Sequence, residues 1–119
     1  MLIGVPAALR AAFGIVVVAA PTSSVLGPAP EVDDRPSARL FVRAHSAHHA
    51  AVGLAGLASL RRSELRRPSA VATLLADLTD LAAGLVEARA RGGVDRDLVP
   101  GIAFPATGVL VSLATLHAL

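Results

Sequence analysis

The chain has no cysteine, no lysine, no tyrosine and no tryptophan, and three phenylalanines are its whole aromatic complement. Without cysteine there is no disulfide, no thiolate nucleophile and no cysteine-ligated metal. So few aromatic faces leave little to hold a carbocation by cation-π contact, which argues against terpene-cyclase chemistry. Nucleophilic hydrolysis lacks a G-x-S-x-G elbow as well as a thiol. Charge is also scarce: charged residues make up 17% of the chain, where an ordinary soluble domain carries about 25%. All eleven basic residues are arginine, which together with abundant alanine, valine and glycine fits the codon bias of a GC-rich genome. The arginines fall in short clusters, and no basic stripe interleaves with aromatics, so the net charge of +2 does not mark a nucleic-acid partner.

What the sequence holds instead is apolar, 54% of its 119 residues. One domain is the default at this length. Four apolar segments, residues 2–20, 40–60, 70–88 and 98–119, each approach the roughly 20 residues that span a bilayer. They predict an all-α protein, a four-transmembrane-helix bundle. A soluble four-helix bundle is the competing architecture, and segments two and three are amphipathic enough for it. Segments one and four decide against it, because "FGIVVVAA" and "GIAFPATGVLVSLATL" contain no charged residue and therefore no solvent face.

The connections carry the turn chemistry. "PTSSVLGPAPEVDDRPSAR" holds four prolines and reads as an extended or turning loop. "RRSELRRP" is short and basic, with Pro68 suited to the first turn of the next helix. In "RARGGVDRD", Gly92 and Gly93 suit a helix stop and Asp97 suits the next cap. Arg61, Arg62, Arg66 and Arg67 crowd the second loop, whereas Glu31, Asp33 and Asp34 offset Arg35 and Arg39 in the first. The positive-inside bias then predicts a multi-pass protein of the cell membrane with both termini cytoplasmic. A cleaved signal peptide is the rival for segment one, with Arg10 before "AAFGIVVVAA" and a cut after "VAA". Pro21 directly after that cut is unfavourable, so an uncleaved helix is preferred.

A few polar side chains stand out against this background. Asp77 and Asp80 share a face of segment three, and Thr73, Gly84 and Glu87 extend the stripe in steps of three or four. A carboxylate near mid-bilayer costs about 3 kcal/mol on insertion scales and must face a bundle interior, a cavity or a partner. Asp80, the more central of the two, is the preferred functional residue. Glu87 and Arg89 are expected to reach the interface. Segment two offers His45, His48 and His49 at i, i+3 and i+4, all able to project from one side. The spelling HxxHH is that of one histidine box of membrane desaturases and hydroxylases. Those di-iron sites need several boxes, and this chain has four histidines, the last being His117.

A single metal held by two of these histidines plus Asp77 or Asp80 would suit zinc, iron or manganese. An acid–base pair needs less: an imidazole beside a carboxylate can shuttle a proton without any metal. The catalytic set is therefore Asp80, Asp77, His48, His49 and His45, facing each other across helices two and three, with no metal site and no cofactor assigned. The competing structural reading is ion pairing or hydrogen bonding of the aspartates to Arg10, Arg43 or the histidines. Ala47, Ala50, Ala51, Gly53 and Gly56, and then Ala82, Ala83 and Gly84, permit close helix packing. Pro100 and Pro105 are expected to free the carbonyls of Arg96 and Gly101, giving a kink or a cavity edge.

The stretches "ARLF", "AHHAAVGLAGLASLRR" and "ADLTDLAAGL", followed by Gly92 and Gly93, resemble a group of small four-helix integral membrane proteins of unknown function from actinobacteria and fungi. The resemblance runs from about Arg39 onward, with segment one a looser fit. The paired aspartates of that group's third helix correspond to Asp77 and Asp80. Its second-helix arginine–aspartate step does not match, since His48 and His49 stand there, ahead of Gly53. The resemblance implies a fold and no established activity.

Three function classes follow. The lead is a membrane-embedded binding or acid–base catalytic site for a lipophilic small molecule, in a cavity between helices. The second is a proton-coupled exporter. The four helices suit the small multidrug-resistance transporters, but their essential carboxylate is a first-helix glutamate and segment one here has Arg10 and no acid. Such an exporter would work as a homo-oligomer. The third is an accessory membrane subunit whose polar stripe docks a partner.

Overall fold

The computed structural model describes residues 3–20 and 36–119, the side chains of residues 36–39 and 41 excepted. These residues form four α-helices and one 3-10 turn, with no strand among them: α1 (Gly4–Ala19), α2 (Pro36–Ser59), the turn Ser63–Leu65, α3 (Arg66–Ala90) and α4 (Val99–His117). The chain divides into two compact units, Met1–Ser63 and Glu64–Leu119. Each is a helical hairpin, α1 on α2 and α3 on α4.

The first hairpin is built from side chains too small to keep two backbones apart. Ala7, Ala11, Gly14 and Val17 of α1 are buried, in steps of four, three and three that trace one helix face. Ser46, Ala50, Gly53, Gly56 and Ser59 form the buried face of α2. A Cβ at Gly14 would meet Ala50 N, with Ser46 O at 2.5 Å; one at Gly53 would meet Ala11 N, with Ala7 O at 2.8 Å. The two contacts run in opposite chain directions, so the pair is antiparallel. Ser59 is sealed in this seam and its hydroxyl donates to Gly56 O of its own helix at 2.6 Å, which satisfies it without a partner across the interface. Pro6 falls in the first turn of α1, where a missing N–H removes no helical bond.

The helix α2 starts four residues earlier than the apolar pattern predicts. Pro36 opens it, a position where the ring's fixed φ is already helical. Only residues 36–39 of the expected first loop can be compared, and they are helical; residues 21–35 lie outside the described set.

The second hairpin follows the same plan. α3 runs Arg66–Ala90 rather than 70–88, because arginine is a good helix former and the charged residues at both ends continue the helix while staying exposed. Pro68 lies in its first turn. Gly92 ends it at φ +78, with Gly93 N–H donating to Ala88 O at 2.8 Å and Gly92 N–H to Arg89 O at 3.2 Å. This doubly bonded left-handed stop is what a glycine supplies without a Cβ clash.

Asp95, rather than the expected Asp97, caps the following turn: its Oδ1 accepts the Leu98 N–H at 2.9 Å. Its other oxygen, Oδ2, accepts from Arg91 Nη1 at 3.1 Å, and Arg91 Nε donates to Glu87 Oε1 at 2.7 Å. One guanidinium thus links the end of α3 to the turn before α4. Pro100 is in the first turn of α4, so the expected release of the Arg96 carbonyl does not follow; the helix makes no i→i−4 bond there. Pro105 is inside α4 and buried, and its missing N–H removes the bond to Gly101 O. That carbonyl lies against Gly84 of α3, 3.2 Å from where a Cβ at residue 84 would stand.

Both hairpins are small inside and large outside. Among the described residues the buried hydrophobic ones are alanines apart from Val17, while Val86 and Leu110 are 71% and 68% exposed. Two helical stretches, Ser63–Ala90 and Val99–His117, are long and apolar enough to cross a membrane, and α1 is apolar over a shorter 16 residues.

Two outcomes follow from this architecture. Gly53→Leu should destabilise the α1–α2 hairpin by about 1–3 kcal/mol through overpacking, seen as faster amide exchange in α1 and α2. Asp95 is held below the ordinary carboxylate range, first by the Arg91 hydrogen bond and then by the Leu98 N–H. A depressed folded value means its contribution is complete above about pH 4, the unfolded aspartate value, and is lost as pH falls through the folded one. A carboxyl-carbon NMR titration should place the Asp95 midpoint below that of a free aspartate; a midpoint at or above it would refute the cap.

Candidate functional site

In the polar stripe of α3, Asp77 and Gly84 lie against α4. Asp77 and Gly84 are buried, Thr73 and Asp80 are half-buried, and Glu87 at the end is exposed. Asp77 is the most enclosed of these, 1% exposed. Its carboxyl occupies the space a side chain at Gly108 would take: a Cβ there would touch Oδ2 and lie 2.7 Å from Oδ1. Glycine at 108 is therefore what admits the carboxyl to the seam. A medium-sized acid can sit between two helices this close only because the facing residue has no side chain.

The α4 side of the seam is a row the sequence reading missed. Pro105, Ser112 and Thr115 are buried and Gly108 is half-buried, all in steps of three or four. Its signal was partial: these four recur at three-four spacing, but Gly101, Ala103, Ala106, Thr107 and Ala114 scatter other small and polar residues through the same segment. The apolar count that identified the segment as a span also hid the stripe within it.

Hydroxyls along both helices bond to their own backbone. Thr73 donates to Ser69 O at 2.9 Å and Thr115 to Val111 O at 2.8 Å; the exposed Thr79 and Thr107 do the same toward Leu75 O and Ala103 O. These bonds leave the carboxyl of Asp77 as the strongest polar feature between α3 and α4. A carboxyl held there can anchor a cationic or hydroxyl-bearing group or carry a proton. Of the two aspartates, Asp77 is buried and the more central Asp80 is half-buried. Glu87 and Arg89 are exposed as expected, and Glu87 pairs with Arg91.

The histidines belong to the first hairpin, with Arg10 and Arg43, and the aspartates to the second. His45 and His48 are exposed and His49 is half-buried. His45 and His49 bring their Nε2 atoms to 3.1 Å, with ring centroids 4.7 Å apart and planes at 81°. One ring donates an Nε2–H and the other accepts, so the pair holds a proton between two imidazoles. Phe13 of α1 places its ring edge-on to His49, centroids 6.2 Å apart. His48 stands beside the pair, 6.0 Å from His49 by ring centroids. Of the expected trio, His45 and His49 are thus joined by a direct ring–ring bond and His48 is their neighbour.

Set against protein-family models, curated proteins and solved structures, the chain matches none.

The contact between Asp77 and Gly108 has a measurable signature. Gly108→Ala should cost about 1–3 kcal/mol, because the new Cβ must displace the carboxyl. Adding Asp77→Ala should recover much of that loss, giving a coupling between the two sites well beyond additivity in a double-mutant cycle. Additive effects in reversible unfolding would show that the two residues do not share the space.

Proposed function

We propose that this chain is an integral protein of the cell membrane whose polar seam binds a lipophilic small molecule, or performs acid–base chemistry on one. The observation that carries this reading is the enclosure of Asp77 between two helices whose outer surfaces are leucine and valine. An ionisable group at such a depth is a functional-site hypothesis by default. Asp77 anchors the polar head of the molecule, and the more accessible Asp80 exchanges a proton with it. His45, His48 and His49 form the second titratable group of the chain, on α2.

The same reading takes all four helices as spans, with both termini cytoplasmic. It is supported by the apolar length of α3 and α4 and by the exposed arginines Arg61, Arg62, Arg66 and Arg67 between α2 and α3. A 16-residue α1 covers about 24 Å at 1.5 Å per residue. That falls short of a core of about 30 Å, a mismatch relieved by local thinning of the bilayer. We place the chain with the small four-helix membrane proteins of unknown function that it resembles in its paired aspartates.

Native mass spectrometry of the protein released from a mild detergent tests the proposal. The wild type should carry a lipophilic adduct that an Asp77→Asn, Asp80→Asn double variant, still helical by circular dichroism, has lost. A bare wild type with a merely unstable variant would count against a ligand site and for an accessory subunit. Loss of proton-coupled efflux in vesicles, with no adduct in either form, would instead identify an exporter.

A further inference from the structure

We infer that His45 and His49 form a bidentate site for a divalent first-row transition-metal ion of the zinc, copper and nickel kind. The inference concerns the first hairpin alone and stands or falls independently of the Asp77 seam.

Its basis is the separation of two nitrogen atoms. Metal–imidazole bonds of about 2.0–2.1 Å place neighbouring ligand nitrogens about 3.3 Å apart in a tetrahedral site and, at right angles, about 2.9 Å apart. The Nε2 atoms of His45 and His49 are 3.1 Å apart, between these two values. Neither helix nor backbone has to move for both nitrogens to reach one ion. The i, i+4 spacing is what brings them together, because it stacks both imidazoles on one face of a rigid helix.

The chemistry of the donors agrees with the geometry. Imidazole suits zinc, copper and nickel. In the hydrogen-bonded pair one ring carries its proton on Nε2. Binding moves that proton to Nδ1 of the same ring and gives the ion two neutral nitrogen donors. No electron transfer is involved. Access and rigidity are both provided: His45 is exposed, while His49 is half-buried and has the Phe13 ring against its side. That contact with α1 limits the freedom of the ring that the ion would have to order. Spacing alone could not separate this arrangement from three unrelated surface histidines, and the 3.1 Å approach of one nitrogen pair does.

The test uses the full-length, tag-free chain in a mild detergent, stripped with chelator and titrated with Zn2+ by calorimetry and with Cu2+ by electron paramagnetic resonance. One ion per chain and a copper spectrum with coupling to two imidazole nitrogens are expected. His45→Ala and His49→Ala should each weaken binding by about 100-fold or more, the loss of one arm of a chelate; His117→Ala should leave it unchanged. The copper spectrum of the wild type keeps the test decisive even if an alanine variant folds poorly. No saturable binding, a one-nitrogen spectrum, or binding lost with His48→Ala but retained in His45→Ala would overturn the assignment.

Discussion

Everything in these hairpins depends on two backbones lying almost in contact. At Gly14 against Ala50, and at Gly53 against Ala11, an added methyl group would fall on main-chain atoms rather than on a movable side chain. Such packing gains dispersion along the whole seam with little side-chain entropy lost, and it does not need water to drive it. It also reverses the usual distribution of residue sizes. Large aliphatic side chains have no room inside and are displayed outward, which gives helices whose exterior suits hydrocarbon better than water.

The polar groups are placed by the same constraint. In the first hairpin Ser46 and Ser59 serve as small residues, and the Ser59 hydroxyl is bonded within its own helix. In the second, Asp77 is the one large polar side chain in the seam, and it fits because Gly108 yields the volume. A seam that otherwise uses alanine accepts a carboxyl only where its partner gives up a whole side chain. His45 and His49 meet ring to ring beside the α1–α2 seam, with Phe13 of α1 against His49.

Much of this was readable in advance. Four helices, the turn at Gly92, the close-packing positions Ala50, Gly53, Gly56 and Gly84 and the stripe through Asp77 follow from apolar length and three-four spacing, whereas Ala47, Ala51, Ala82 and Ala83 are exposed and the small-residue face of α1 was not foreseen. What hydropathy missed was at the margins and on the partner helix. Arginine-bearing turns at the ends of α3 dilute an apolar window without breaking a helix, so both ends were set too far in. Asp95 outcompetes Asp97 as cap because it alone can serve Leu98 N–H and Arg91 at once. The α4 row of Pro105, Gly108, Ser112 and Thr115 was hidden because a glycine's contribution is visible only once its opposite residue is known. The special status of His45 and His49 within the trio depended on rotamers, which spacing does not encode.

The outward-facing leucines and valines are largely exposed. Isoleucine, leucine, valine and phenylalanine can replace one another there with little effect on the fold, while a single methyl group at Gly14, Gly53 or Gly108 is felt at once. Over long divergence such a chain would lose most of its recognisable identity and keep only a sparse register of small residues, with an acid opposite a glycine. Its relatives are then better sought by that register than by overall resemblance.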